Sequence, residues 1–328
     1  MRKMKKLLTT LTLSSLLLTP VAQAETNTED VETNESNDTT QSDEQSQKLP
    51  SELKEKLFGE GADLTAQQKE ETRDLLDVSN GYKTYDITVD DVYKQTGIEY
   101  DTIQSSVAIT PKKLKHGIDV DIVTPENIER TKSQYENASI TAGLQDVDIK
   151  VGSVDKVTGD GALTGIYYML EQEGYHINSQ DVQNANDEMN SLAKISNENQ
   201  NNEGYSDDAL NGSVAEMKSK VAEEKQKDGD VTDEDVDKIT DETLKEHGLD
   251  ESLSDEQINE IKEIMRNTAE SQAINNNPEN YQKQADSLKS HLSGAIDKAQ
   301  DELKGDVSLG SKIKQNWEKF KSWVGSLF

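Results

Sequence analysis

The sequence predicts an α+β protein: a small sheet with helices on one face, built from a β-β-α-β-α core, followed by a mostly α-helical C-terminal half. Three observations predict it. Between residues 103 and 170, segments of β-branched residues alternate with segments of helical period. Beyond Tyr175 the composition shifts to Asn, Gln, Glu, Asp and Lys, with apolar residues recurring three or four apart. Only 32% of residues are hydrophobic and 5% aromatic, which limits the chain to one modest core with extended or helical surroundings.

The elements follow in order. "MRKMKKLLTTLTLSSLLLTPVAQAE" has a basic start at Arg2, Lys3, Lys5 and Lys6, an apolar stretch from Leu7 to Leu18, and small residues at Ala22 and Ala24. This is the pattern of a secretory signal peptide over residues 1–24, with cleavage expected after Ala24. Its apolar stretch is shorter than the roughly 20 residues a membrane span needs. The chain has no cysteine, which excludes an acyl anchor, disulfides and thiolate chemistry. Residues 25–48 carry eight acids, one base and one aliphatic residue, and so read as a disordered acidic spacer.

Residues 49–178 are expected to form the α+β domain. Leu53, Leu57 and Phe58 lie at helical spacing, and after a glycine-bounded break Thr65 with Gln68 marks a second short helix. In "YKTYDITVDDVYKQTGI", Tyr85, Ile87 and Val89 alternate as in a strand, while Val89, Val92 and Tyr93 suit a short helix. "IQSSVAITP" and "GIDVDIVTP", joined by "KKLKHG", read as a β-hairpin. Thr124 with Pro125 at the first position then predicts a helix running to near Gly143. "VDIKVGSV" is a third strand and "GDGALTGIYYMLEQEG" a further helix. The expected core is Ile118, Val120, Ile122, Ile128, Tyr135, Ile140, Val147, Ile149, Ile166 and Leu170.

"FGEGADLT", "SSVAITP", "YENASITAGLQDVDIKVGS" and "GDGALTGIYYMLE" resemble, in that order, the signature segments of the YpuA-like family, secreted proteins of Gram-positive bacteria with a domain of unknown function. The resemblance implies a secreted or cell-surface role. It brings no activity, cofactor or catalytic residue.

Residues 179–305 are expected to be four or five amphipathic helices, either a loose bundle or a set packed on the α+β layer. The stripes are Leu210, Val214, Met217 and Val221; then Ile258, Ile261, Ile264 and Met265; then Tyr281, Ala285, Leu288, Leu292, Ala299 and Leu303. Ser254 with Gln257, and Pro278, mark helix starts; "SNENQNNEG" and "KQKDGD" read as linkers. Stripes this narrow favour helix pairs over a deep core.

No residue set identifies a reaction. His116, His176, His247 and His291 include no H-E-x-x-H pair. Ser153 with Lys156 and Ser191 with Lys194 match S-x-x-K, but the companion S-D-N and K-T-G motifs are missing. Gly159, Gly161 and Gly165 follow a strand and open a helix, yet the third glycine lies four residues after the second, one too many for a dinucleotide turn; tight packing of a strand-to-helix turn is the favoured reading. A fold-assembled hydrolase site would be sought there, at Asp160 and Tyr167. Around Gly229, the residues Glu224, Gln226, Asp228, Asp230 and Asp235 approach a calcium loop, but Glu opens it and Asp closes it, so a solvated helix start with Asp233 and Glu234 on the dipole is favoured. No cofactor or metal is expected.

Charge narrows the partners. The full chain carries −30; loss of the first 24 residues removes four positive charges and leaves 304 residues near −34. Nucleic acid needs clustered positive charge, so it is not an expected partner. The exception to the acidic character is residues 306–328, which contain "KIKQNWEKFKSWVGSLF". Ile313, Trp317, Phe320, Val324, Leu327 and Phe328 share one helical face, and Lys312, Lys314, Lys319 and Lys321 against Glu318 give +3. Trp317, Phe320, Trp323, Phe328, Lys314, Lys319 and Lys321 are therefore the candidate contacts to an anionic membrane surface or an envelope protein, with docking on the chain's own acidic body as the other reading. The function expected is an exported, cell-envelope-associated interaction or scaffolding protein, with an extracellular hydrolase as the alternative.

Overall fold

The structure, a computed structural model, describes residues 53–302 apart from 114–116 and 203–204, with side chains through residue 293. Residues 1–24, read as a signal peptide, residues 25–48, read as an acidic spacer, and residues 306–328, read as the basic aromatic tail, lie outside the described residues.

The α+β class is what the chain adopts. Its elements are β1 (Lys56–Gly61), α1 (Ala66–Leu75), β2 (Tyr82–Ile87), α2 (Val89–Thr96), β3 (Ser106–Pro111), β4 (Asp119–Ile122), α3 (Lys132–Thr141), β5 (Val147–Gly152) and α4 (Asp160–Gln172). The helical half follows: α5 (Ser179–Asn199), α6 (Asp207–Asp228), α7 (Asp233–Glu246), α8 (Asp255–Glu270), α9 (Gln272–Asn276) and α10 (Pro278–Glu302). The five-stranded sheet has the order β2-β1-β3-β5-β4, in which β3 is antiparallel to both of its neighbours and the outer pairs are parallel.

Three expectations are corrected. The segment with Leu53, Leu57 and Phe58 is no helix but leads into β1. That strand is paired on both sides, and Leu57 and Phe58 are buried on opposite faces, so the polar alternation that announces a strand is missing. Gly61 is required here, since a Cβ would sit 2.5 Å from the Ile103 carbonyl oxygen. Next, β3 and β4 form no hairpin: β5 lies between them, with Ile109 opposite Ile149 on one side and Val120 beside Ile149 on the other. Strand β5 offers three buried side chains to the core, whereas β4 has four residues with Asp119 and Asp121 on its outward face, a composition suited to an edge. Finally, α3 begins at Lys132 rather than after Thr124. Thr131 and Gln134 form a reciprocal capping box that Thr124 and Asn127 cannot, and Thr124 instead accepts the Ser153 N–H at 2.9 Å.

The ambiguous segment holds both a strand and a helix, β2 and α2, hinged at Thr88, which caps α2 with Asp91. The capping boxes at Thr65 and Ser254 and the helix start at Pro278 stand where the sequence places them. The residues read as linkers are partly helical: α5 extends to Asn199, whose buried amide donates to the Ile195 carbonyl, and α6 extends to Asp228 before Gly229 ends it in the left-handed region.

Side-chain alternation assigns the layers. Leu57, Val107, Ile109, Val120, Val147, Ile149 and Val151 face the main core with α3 and α4, while Phe58 and Ala108 face the other way and meet Leu76 at the end of α1. Every expected core residue lies in the main cluster or packs against it. The four strands β1, β2, β4 and β5 point one way. Helix α1 carries the chain from β1 to β2 across the Phe58 face, and α3 carries it from β4 to β5 across the opposite face, so helices lie on both faces of the sheet and not on one as expected. Both steps go the same way across the sheet, so the two crossovers have opposite hands and one is the rare left-handed form.

The helical half shares that core and is deeper than its narrow stripes suggest. Residues 210–219 of α6 are buried without a break, against α10, α7, α8 and α3. A helix enclosed on all sides shows little amphipathic period, which is why its depth was hidden. No described helix is long and apolar enough to cross a membrane.

Candidate functional site

The glycine turn before α4 is a packing device. Gly159 caps the helix at φ +100°, and a Cβ there would sit 2.4 Å from the Tyr135 hydroxyl, which donates to the Gly159 carbonyl at 2.7 Å. Gly161 lies against Ile103 and Gly165 against Ile87. Asp160 is held by Arg130 through two bonds of 2.7 and 3.1 Å and accepts the Tyr100 hydroxyl at 3.1 Å; Arg130 also donates to Asn190 of α5 at 2.7 Å. Tyr167 is buried, with its hydroxyl turned to the Ala138 carbonyl. Both residues of the expected hydrolase site are thus engaged within the fold.

The other candidates are dispersed. Ser153 is buried and donates to the Gln104 carbonyl at 3.4 Å, and Lys194 pairs with Glu260. His247 meets Glu216 and His291 faces Asp119, whereas His116 lies outside the described residues. The calcium-like run is divided: Glu224, Gln226 and Asp228 are in α6, and Asp235 caps α7 with Thr232. Asp233 and Glu234 stand in the first turn of α7, as the helix-start reading has it. Among the described residues no group of three or more His, Asp or Glu is placed to hold a metal ion. Trp317, Phe320, Trp323, Phe328, Lys314, Lys319 and Lys321 fall outside the described residues.

Charged groups that sequence reasoning missed are sealed inside the molecule. Lys218 of α6 is fully buried and donates to Glu188 of α5 at 2.6 Å and to the Asn137 carbonyl of α3 at 2.8 Å. The second Glu188 oxygen accepts the Thr141 hydroxyl at 2.5 Å, and the Asn137 amide donates to the Asn211 carbonyl. Burial pushes the Lys218 ammonium below the usual amine range although Glu188 opposes it. Two residues earlier in the same helix, Glu216 lies between Lys220 at 2.9 Å and His247 at 3.1 Å. Burial pushes its carboxyl up, but the His247 and Lys220 contacts outweigh it and hold the group down to about 2. No local signal in the sequence marked Glu216 and Lys218 as buried; both lie in a stretch of α6 that is buried from 210 to 219.

Two surface concavities stand out among the described residues. One, about 720 Å³, runs along the start of α10 and is lined by Asp146, Glu279, Lys283, Gln284 and His291 among others. The second, about 460 Å³, lies on α1 at Gln67, Glu70, Glu71, Asp74 and Leu75. Both are open and polar or acidic. The large apolar side chains exposed among the described residues are Leu75 and Tyr93, at 40% and 51%.

Fold and surface together define an acidic α+β protein with a buried ionic core and no catalytic constellation in view among the described residues. Residues 60–288, more than half of the chain, match the family described as "Protein of unknown function (DUF1002)", and the chain belongs to that family. It is 27% identical over 252 residues to the "Uncharacterized protein YpuA" of Bacillus subtilis (strain 168), covering 74% of this chain and 77% of that protein. No solved structure matches.

Proposed function

We propose that this chain is an exported, cell-envelope-associated interaction protein without evident catalytic activity, attached through residues 306–328 to an anionic membrane surface or an envelope protein. The observation that carries the reading is the contrast between tail and body. The tail gathers Trp317, Phe320, Trp323 and Phe328 beside Lys314, Lys319 and Lys321, whereas the large apolar side chains exposed among the described residues are Leu75 and Tyr93. An amphipathic segment gains by burying its apolar face, and the large apolar side chains exposed on the described body are few and scattered. Near an anionic leaflet each lysine adds about 1 kcal/mol, enough with partial aromatic burial for reversible adsorption. The export pattern of residues 1–24 supports a place outside the cytoplasm, and the acidic body speaks against nucleic acid.

Sedimentation of the mature protein with anionic and neutral liposomes, with and without residues 306–328, tests this. The full-length protein should pellet with anionic vesicles in a salt-sensitive way, and the truncated protein should stay in solution. Equal pelleting of the two would remove the membrane reading. Failure of both to pellet, with an envelope protein captured by the tail alone, would transfer the attachment to that protein.

A further inference from the structure

We propose that the free edge of the sheet at β4 is a proton-sensitive fastener, which holds α3 and α10 to the edge strand while a proton is bound there and loosens as that proton leaves. Charged groups from five elements meet at this edge. From α3, Glu136 points inward with 1% of its side chain exposed, accepts the Val120 N–H of β4 at 3.3 Å, and has Lys132 at 3.4 Å. That lysine is 53% exposed and on the same helix, so water screens much of the neutralisation it can give. One residue before Val120, Asp119 is a second carboxylate, paired with Lys112 from the end of β3 at 2.6 Å and facing His291 of α10 at 3.8 Å. Lys112 is shared with Asp148 of β5 at 3.7 Å. Beside them Asp146 accepts from the Gly117 N–H and from Gln284 of α10, and Lys283 of α10 borders the same groove.

The energetic asymmetry lies in Glu136. Asp119 has a lysine from another element and Asp146 accepts two hydrogen bonds, whereas Glu136 has one hydrogen bond from β4 and ionises inside the layer between α3 and β4. Burial pushes its carboxyl up to about 7, with Lys132 and the Val120 N–H pulling the other way. If the edge opens to water, the group returns toward its ordinary 4.5. The closed edge therefore binds the proton more tightly than the open one. Closing is fully favoured below about 4.5, and the advantage is lost as the pH rises through about 7. Above that, Glu136 adds a negative charge beside Asp119. The cheapest relief is local, because β4 is four residues long and hydrogen-bonded to a single strand. Its opening takes the Asp119 contact with His291 along.

Amide hydrogen exchange of the full chain at pH 6 and pH 8, corrected for the intrinsic rate at each pH, tests the fastener in residues 118–122 and 284–292. Wild type should lose about tenfold protection at β4 between the two, which is the change that a shift from 4.5 to about 7 implies, with a smaller loss in α10. Glu136→Gln keeps an acceptor for Val120 and cannot ionise, so its protection should be the same at both values. Lys132→Ala, an exposed change that leaves the core untouched, removes the partial neutralisation and should enlarge the loss at pH 8. The proposal is overturned if wild type shows no loss, if Glu136→Gln loses as much as wild type, or if Lys132→Ala loses no more than wild type.

Discussion

Lys218 has each of its ammonium directions taken, by Glu188, by the Asn137 carbonyl and, at 3.4 Å, by the Asn137 side-chain oxygen. Removing one member of such a pair leaves the other charged and dry. Lys218→Met should cost about 3–5 kcal/mol in urea unfolding at pH 7. Adding Glu188→Gln, which can still accept the Thr141 hydroxyl, should recover a good part of that loss. A single-variant cost below about 1 kcal/mol would mean that water reaches the pair. These residues were hard to find in the sequence because burial alone makes them special. A lysine at one position of an acidic, lysine-rich helix carries no mark of its surroundings, and Glu136 and Glu188 are two acids among 65. Gly159 was easier to read. Its place between a strand and a helix points to a positive φ, and Tyr135 supplies the close contact.

Among the elements, those announced by local chemistry were legible. Thr65, Ser254 and Pro278 begin helices because caps and first-turn prolines act within four residues of themselves. The same rule exposes the error at α3, since Thr131 has the Gln134 partner that Thr124 lacks. Thr131→Ala should lower stability by about 1 kcal/mol through the loss of that cap, and a thermal melt indistinguishable from wild type would show that the helix starts elsewhere. Strand pairing was not legible in this way. Alternation reports that β3, β4 and β5 are strands but not which are neighbours, and the hairpin reading chose the nearest in sequence. The fold places β5 in the middle because it buries side chains along its length while β4, with Asp119 and Asp121, tolerates an edge.

At the scale of the whole molecule, the charge of −30 is the dominant property. Most ion pairs lie at the surface, where they contribute little, so the excess acids repel one another in the compact state. Moving from low ionic strength to 0.15 M, where the Debye length falls to about 8 Å, should therefore raise the melting temperature at pH 8. A fall would indicate that salt weakens the ion pairs more than it relieves the repulsion. Beyond residues 1–24, the same acidity sets the basic, aromatic C-terminus at odds with the rest, which is why the proposed attachment is placed there.

The sequence by itself determined the class of the fold, the positions of several helix starts, the core residues, the family, and the contrast between an acidic body and a basic tail. The family follows from the resemblance of its signature segments; the others depend on composition or on interactions between residues close along the chain. Tertiary structure alone decided the sheet order with its crossovers of opposite hand, the unbroken burial of α6 over residues 210–219, the engagement of Asp160 with Arg130, and the meeting of Glu136 with the β4 edge. Those depend on which distant surfaces exclude water from one another. Burial is a property of the assembled layers, and it converts ordinary glutamates and lysines into groups whose charge state matters.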